Sequence, residues 1–225
     1  MKKVAILYSG GLDSTAMLFN AVKQYGSENI VAIYSDFGQR NSKEEKQSFN
    51  YFTEKLGIKF RKEINIKQIF EDVPNKEVYN DPNTPDGTRK MYNRNMVLIS
   101  CATAKGMQMN CDKLLHGAHY SDAKEGYPDC SENFYNSVKN CVFTAYPWFK
   151  IEMPLINKTK GEVIKWAIES GMTKEDIPHT WSCYHSSTGE TYEVDGIKYL
   201  KPCRKCVACK ERYENGLLKI FPDIY

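Results

Sequence analysis

Val4-Ala5-Ile6-Leu7-Tyr8-Ser9-Gly10-Gly11-Leu12-Asp13-Ser14-Thr15 is the stretch that decides the fold. It opens on an unbroken apolar run, the pattern of a strand buried on both faces of a parallel sheet, and the glycines after Ser9 permit a tight turn. From Ser14 the spacing becomes helical, with Met17, Leu18, Ala21 and Val22 on one face. Strand, glycine turn and helix in that order point the unpaired N–H groups of a helix start at one spot, where an anion binds. Hydroxyls of Ser9, Ser14 and Thr15 add donors. Glycine content alone does not separate this from a plain strand-to-helix turn. The stretch is not a Walker A loop, because it lacks the Gly-Lys-Ser/Thr ending and the four-residue gap between glycines.

Working outward, Ile30-Val31-Ala32-Ile33-Tyr34 reads as a second strand. Ser42 then caps a helix with Glu45 closing a capping box, and that helix buries Phe49, Phe52 and Leu56 before Gly57 stops it. Phe60 to Ile66 reads as a third strand, Asn95 to Lys105 as a helix, Lys113 to His116 as a fourth strand and Trp148 to Leu155 as a fifth. A helix from Lys160 to Ser170 follows, ended by Gly171. Strands alternating with helices predict a parallel sheet with helices on both faces, and ligands then bind beyond the carboxyl ends of the strands. Two irregular stretches, Glu71 to Tyr92 and Ala118 to Asp129, read as binding loops or lids. The Asp195-Gly196 pair between alternating residues predicts a small hairpin.

The 225 residues are 41% hydrophobic and 26% charged, an ordinary globular composition. A chain of this size buries roughly 70% of its unfolded surface, so no disulfide staple is needed. The 31 Lys and Arg against 28 Asp and Glu leave a formal charge of +3 that is spread along the chain, which argues against a nucleic-acid partner. No stretch reaches the ~18 apolar residues of a membrane span and Met1 to Tyr8 runs straight into strand pattern, so the expectation is a cytoplasmic protein.

In a reducing compartment the eight cysteines point to metal or catalysis rather than disulfides. Cys203, Cys206 and Cys209 stand at C-x2-C-x2-C spacing, with Cys183 upstream across the hairpin. Four thiolates close a tetrahedral zinc site with no open position, which makes the zinc structural. An iron–sulfur cluster uses the same ligand type and the spacing admits it; the long gap before the trio favours zinc. Cys101 and Cys111 read as packing residues, and Cys130 as packing or pocket lining. His116, His119, His179 and His185 show no spacing that marks a metal or general-base site.

The full string Ser9 to Thr15 resembles the SGGxDS signature of PP-loop ATP pyrophosphatases. With Asp36-Phe37-Gly38-Gln39-Arg40, Arg94-Asn95, Gly126-Tyr127-Pro128-Asp129-Cys130, Pro154-Leu155-Ile156, Lys160 with Glu162, and Trp181-Ser182-Cys183-Tyr184 before the cysteine trio, the chain resembles the 7-cyano-7-deazaguanine synthase family from Val4 to about Arg212. That resemblance implies an α/β PP-loop, Rossmann-like domain over residues 1–175 and a zinc-binding helical module over 176–225 packed on it. It implies a ligase that uses ATP and magnesium to convert 7-carboxy-7-deazaguanine and ammonia to the nitrile through adenylated intermediates. By the same resemblance Ser9, Gly10, Gly11, Leu12, Asp13, Ser14, Thr15 and Asp36 hold the nucleotide, and Asp13, Arg40, Arg94 and Lys160 act in catalysis. Asn95, Gly117, Asp122, Tyr127 and Asp129 would meet the deazaguanine, and the chain would be a homodimer. The chemistry agrees: attack of a carboxylate on an α-phosphate needs charge neutralisation and positioning more than a protein nucleophile.

The chain departs from the family around the substrate. Before Arg94 it reads Met91-Tyr92-Asn93 where the family usually has Val-Pro-Gly, the Ala118 to Gly126 loop is longer, and the Thr188 to Leu200 hairpin enlarges the cysteine module. Two related activities therefore stand beside the synthase, one stopping at the 7-amide and one attaching a deazaguanine to another molecule. A PP-loop tRNA-thiolating enzyme also pairs such a loop with cysteines, but needs a reactive cysteine pair or cluster near the nucleotide and a basic RNA surface. A non-catalytic nucleotide sensor would not need Asp13, Arg40, Arg94 and Lys160 together.

Overall fold

The computed structural model of the chain describes residues 2–71, 93–119, 128–194 and 196–220. Strands β1 (Lys3–Leu7), β2 (Ile30–Asp36), β3 (Phe60–Asn65), β4 (Cys111–Leu115) and β5 (Lys150–Glu152) pair in parallel in the order β3-β2-β1-β4-β5. Between them run α1 (Leu12–Tyr25), α2 (Ser42–Lys55), α3 (Lys67–Glu71), α4 (Arg94–Gln108) and α5 (Glu132–Ala145), and α6 (Lys160–Glu169) follows β5. The chain builds outward from β1 to β3, then returns to lay β4 on the other side of β1. The carboxyl ends of β1 and β4 therefore border the crevice where open α/β sheets bind ligands.

Alternation along the central strands separates two apolar cores. Val4, Ile6, Tyr8, Ile30, Ala32 and Tyr34 face α1, α2 and α6, while Ala5, Val31 and Ile33 face Ile99 and Ala102 of α4 and Tyr135 and Val138 of α5. Both faces of β2 are buried along its whole length, which is why it reads as a continuous apolar run. Burial of each large side chain contributes about 1.5–3 kcal/mol before entropy is subtracted.

The expected strands and helices are present with shifted ends. Helix α1 begins at Leu12 rather than Ser14, so half of the glycine-turn motif is already the first helical turn. Strand β2 extends to Asp36, and β5 is confined to Lys150–Glu152 inside the expected Trp148 to Leu155. The capping box expected at Ser42 and Glu45 is not formed: Asn41 is the N-cap residue of α2, with no side-chain cap, and the Glu45 carboxylate is drawn instead to Tyr34, Gln39 and Asn41. Helix α5 was not expected. Its signals are Ser131, whose hydroxyl accepts from the Phe134 N–H, and the apolar spacing of Phe134, Tyr135, Val138 and Val142.

The C-terminal segment folds onto the same core. Strands β6 (Thr191–Val194) and β7 (Ile197–Leu200) form the expected antiparallel hairpin; Gly196 has φ 79° and Asp195 lies outside the described residues. Helix α7 (Val207–Arg212) leads into a wide turn over Tyr213–Leu217, and Cys183, Cys206, Cys209 and Leu217 pack in one cluster with β1 and α1. The buried Arg212 guanidinium donates to the carbonyls of Ile177 (2.7 Å) and Thr180 (3.2 Å), fixing the segment that runs to Ser182. Among the described residues no helix is long and apolar enough to cross a membrane.

Candidate functional site

A cavity of about 300 Å³ opens beyond the carboxyl ends of β1, β2 and β4. Its floor is the glycine turn. Gly10 has φ +85°, and a Cβ there would stand 2.6 Å from Ser48 Cβ and 2.7 Å from the Glu45 carbonyl of α2, so only glycine fits. The Gly10 carbonyl accepts from the Trp181 N–H (3.0 Å) and the Leu12 N–H donates to Ser182 Oγ (3.1 Å), which ties the loop to the C-terminal segment. Ser9 and Ser14 hydroxyls lie 3.1 Å apart at the cavity wall. Gly10, Leu12 and Thr15 build the turn from behind: the Thr15 hydroxyl is 3.2 Å from that of Tyr8.

At the loop's centre the Asp13 carboxylate receives the Lys160 ammonium at 2.7 and 2.6 Å. The direction of Lys160 is set by a capping box at the start of α6, where Thr159 Oγ1 accepts from the Glu162 N–H and Glu162 Oε2 accepts from the Thr159 N–H at 2.7 Å. His119 Nε2 stands 3.0 Å from Lys160 Nζ and 3.6 Å from Asp13 Oδ2. Burial raises the Asp13 pKa, but Lys160 and then His119 outweigh it, and the carboxyl is held well below the usual carboxylate range. Thus Asp13 is an anion and Lys160, buried at 5% exposure, is its counter-cation.

The upper wall carries Arg40, Arg94, Asn95, His116 and Gly117. Arg94 lies over the Phe37 ring at 5.8 Å, and Gly117 sits above the first turn of α1, where a Cβ would be 3.4 Å from Ser14 Cα. Two expected contacts are placed beside the cavity rather than on its wall. Asp36 is buried at the end of β2, where Gly38 N–H, Lys46 (3.3 Å) and Lys67 (3.2 Å) hold its carboxylate. Asp129 caps α4: its carboxylate accepts from the Asn95 N–H at 3.3 Å and its carbonyl from Asn95 Nδ2 at 3.1 Å. Asp122 and Tyr127 lie outside the described residues.

Some residues of the site have no site role in the sequence reading: Glu211 carries no signal, Glu45 reads as a capping residue, and Ser182 enters only as part of the Trp181 to Tyr184 string. His119, which meets Lys160 and Asp13 beside the wall, shows no spacing that gives a signal. The switch-point rule offers one: His116 to His119 leave the end of β4, beside β1. Cys130 lines the cavity, with Asn95 Nδ2 3.3 Å from its sulfur.

The sulfurs of Cys183, Cys203, Cys206 and Cys209 lie within 4.8 Å of one another, behind the wall rather than on it. Cys183 and Cys206 are 4.0 Å apart, and Cys203 and Cys209 3.9 Å. A tetrahedral ion with ~2.3 Å bonds to sulfur needs separations near 3.8 Å, so this set can hold a metal ion. Val207 and Ala208, between two of these cysteines, form part of the cavity wall.

Comparison with known proteins agrees with this geometry. The family described as Queuosine biosynthesis protein QueC matches residues 3–220. A 7-cyano-7-deazaguanine synthase of Campylobacter hominis is 32% identical over 96% of this chain and 94% of its own length, and one of Caldicellulosiruptor bescii is 33% identical over 95% and 91%. Among solved structures, a U34-tRNA thiolase NcsA from Methanococcus maripaludis with its 4Fe-4S cluster superimposes with a TM-score of 0.52 at 20% identity, over 81% of this chain and 62% of its own, which speaks to the fold alone. Asn93, where the family resemblance leads one to expect glycine, has φ 61°, a backbone region that asparagine tolerates best after glycine. With the glycine turn, the cavity and the cysteine set all in their expected places, the chain belongs to the QueC family of queuosine-biosynthesis proteins.

Proposed function

We propose that the chain is an ATP-dependent carbon–nitrogen ligase that converts 7-carboxy-7-deazaguanine and ammonia to 7-cyano-7-deazaguanine, AMP and pyrophosphate. The observation that carries this reading is the Asp13–Lys160 pair, set in the glycine turn of a cavity that also carries Arg40 and Arg94.

The turn and the start of α1 seat the phosphates of ATP, with N–H groups and the Ser9 and Ser14 hydroxyls as donors. A carboxylate oxygen of the substrate attacks the α-phosphorus and pyrophosphate leaves. Lys160, Arg40 and Arg94 neutralise charge that accumulates on the phosphoryl oxygens. Ammonia then adds to the acyl carbon, a proton is lost, and AMP leaves to give the amide. In the second stage the amide oxygen attacks another α-phosphorus, pyrophosphate leaves and one N–H proton is lost; loss of AMP with the remaining N–H proton then leaves the nitrile. Magnesium, a hard cation, would take oxygen ligands from the phosphates and from Asp13, and supplies further neutralisation.

The four-cysteine set fits structural zinc: four thiolates, no open position, and sulfurs too close together for a cubane whose irons each take a separate thiolate. None of these sulfurs lines the cavity, which disfavours tRNA thiolation. A nucleotide-binding body over residues 1–175, a cysteine module over 176–225, a cytoplasmic location and no nucleic-acid partner complete the reading. A homodimer belongs to it as well, and Phe143, Tyr146 and Trp148, exposed beside edge strand β5, are suited to the contact.

Mass spectrometry of products from 7-carboxy-7-deazaguanine, ATP, magnesium and ammonium, with a parallel AMP assay, tests the proposal. A nitrile with two AMP per turnover supports it. An amide with one AMP identifies the shortened reaction, and no AMP overturns the reading.

A further inference from the structure

His116 stands at the mouth of the crevice, directly after β4, and its N–H is anchored on the Glu152 carbonyl at 3.0 Å. Its ring is nearly buried, at 9% exposure, and lines the cavity beside Arg94, Asn95 and Cys130. Nδ1 is 3.0 Å from the hydroxyl of Tyr135, a side chain of α5 that is 1% exposed. Nε2 has no protein partner among the described residues. A histidine that only completes a core has both nitrogens spent or faces away from a cavity; this one keeps a ring nitrogen unspent in a cavity wall.

We propose that His116 binds the reacting carboxylate of the deazaguanine, with Tyr135 as its positioning residue: the Tyr135 hydroxyl donates to Nδ1, so that Nε2–H faces the cavity as a neutral donor. The assignment rests on the ligase reading given above. A carboxylate about to attack phosphorus must be oriented without being protonated, and a neutral N–H donor does this while a cationic imidazole would compete for the nucleophilic lone pair. Burial and then the charge of Arg94 push the imidazole pKa down to about 4, so the ring is neutral at physiological pH. The same donor serves both stages, because in each the nucleophile is an oxygen on the carbon attached to the heterocycle. Tyr135 acts as the partner that fixes a tautomer, since the nitrogen facing the phenol decides what the other nitrogen carries.

Steady-state kinetics on the full chain, with melting curves for each variant, test the assignment. His116→Phe is expected to raise KM for 7-carboxy-7-deazaguanine about tenfold or more and to leave KM for ATP within about twofold. His116→Gln, which keeps an N–H donor at similar reach, recovers most of that loss. Tyr135→Phe gives a smaller rise, and it remains informative if His116→Phe fails to fold. Nitrogen-15 spectra of histidine-labelled protein are expected to show the neutral Nε2–H tautomer at His116 in the wild type. A folded His116→Phe chain with unchanged KM for the deazaguanine overturns the assignment, as does the Nδ1–H tautomer or an equal change in both KM values. Wild-type protein that makes no AMP from this substrate overturns the ligase reading and the assignment together.

Discussion

Lys160 presents its ammonium to both oxygens of the Asp13 carboxylate, at 2.7 and 2.6 Å, and so joins the start of α6 to the glycine turn after β1. The two residues are far apart in sequence and meet only because α6 packs on α1, with Val163, Ile164 and Ala167 buried in the same core as Ala16 and Met17. Charge at the glycine turn is therefore set by helix packing.

Asp13→Asn removes the anion and leaves Lys160 buried without a counter-charge, which costs about 3–5 kcal/mol when a pair of this kind is broken from one side. The variant is expected to lose AMP formation and to melt well below the wild type. Adding Lys160→Met removes the stranded cation, so the double variant should regain most of the melting temperature and remain inactive. Paired melting and AMP assays read both effects. Wild-type turnover by Asp13→Asn would sink the account of the loop.

Gly216 packs against the same lysine. A Cβ at this position would meet Lys160 Cγ at 2.6 Å and Ile164 Cδ1 at 2.9 Å, so Gly216→Ala must displace the stem of the lysine that pairs with Asp13. Overpacking of this kind costs about 1–3 kcal/mol. The expected result is a fall in kcat of about tenfold from misplacement of the ammonium, with a modest drop in melting temperature. Unchanged kcat would show that Lys160 tolerates the shift.

What could be read from sequence alone divides along a physical line. The glycine turn, the strand–helix alternation and the cysteine spacing are local patterns, so they were legible, as were Gly57 and Gly171 as helix stops, with φ 66° and 102°. Helix α5 carries its own signals, Ser131 and an apolar spacing, but follows a long irregular stretch that hides its start. The site's polar network was not legible. Glu45 and Ser182 reach the cavity, and His119 the Asp13–Lys160 pair, through tertiary packing, and no spacing in the chain encodes that Trp181 would bond to Gly10. Asp36 and Asp129 look like ligand residues in one dimension, yet their carboxylates are engaged by Lys46 and Lys67 and by the start of α4.

The cysteine set should bind a single zinc per chain, measurable by elemental mass spectrometry. Four sulfurs within 4.8 Å of one another cannot all ionise without a cation between them, so the metal is expected to contribute directly to folding of this segment. Cys206→Ser should release the zinc and lower the melting temperature by several degrees. Because Val207 and Ala208 belong to the cavity wall, KM for ATP should rise as well. Unchanged metal content and melting in Cys206→Ser would show that these cysteines hold no ion.

Glu45 supplies a pH dependence of known sign. Its carboxylate lines the cavity and accepts from Tyr34 (3.2 Å), Gln39 (2.7 Å) and Asn41 (3.1 Å). Burial raises its pKa to about 7 against the pull of these donors and of Arg94. In the unfolded chain a glutamate releases its proton near ~4.3. Between those two values the folded state holds a proton that the unfolded state has given up. This group's contribution to stability is therefore full below the unfolded pKa and is lost as pH rises toward 7. Glu45→Gln does not titrate, so the difference in melting temperature between variant and wild type should shift in the variant's favour as pH rises from about 4.5 to 7.5. A difference that stays constant across that range would mean that Glu45 titrates like an ordinary surface carboxylate, with solvent reaching it through the cavity.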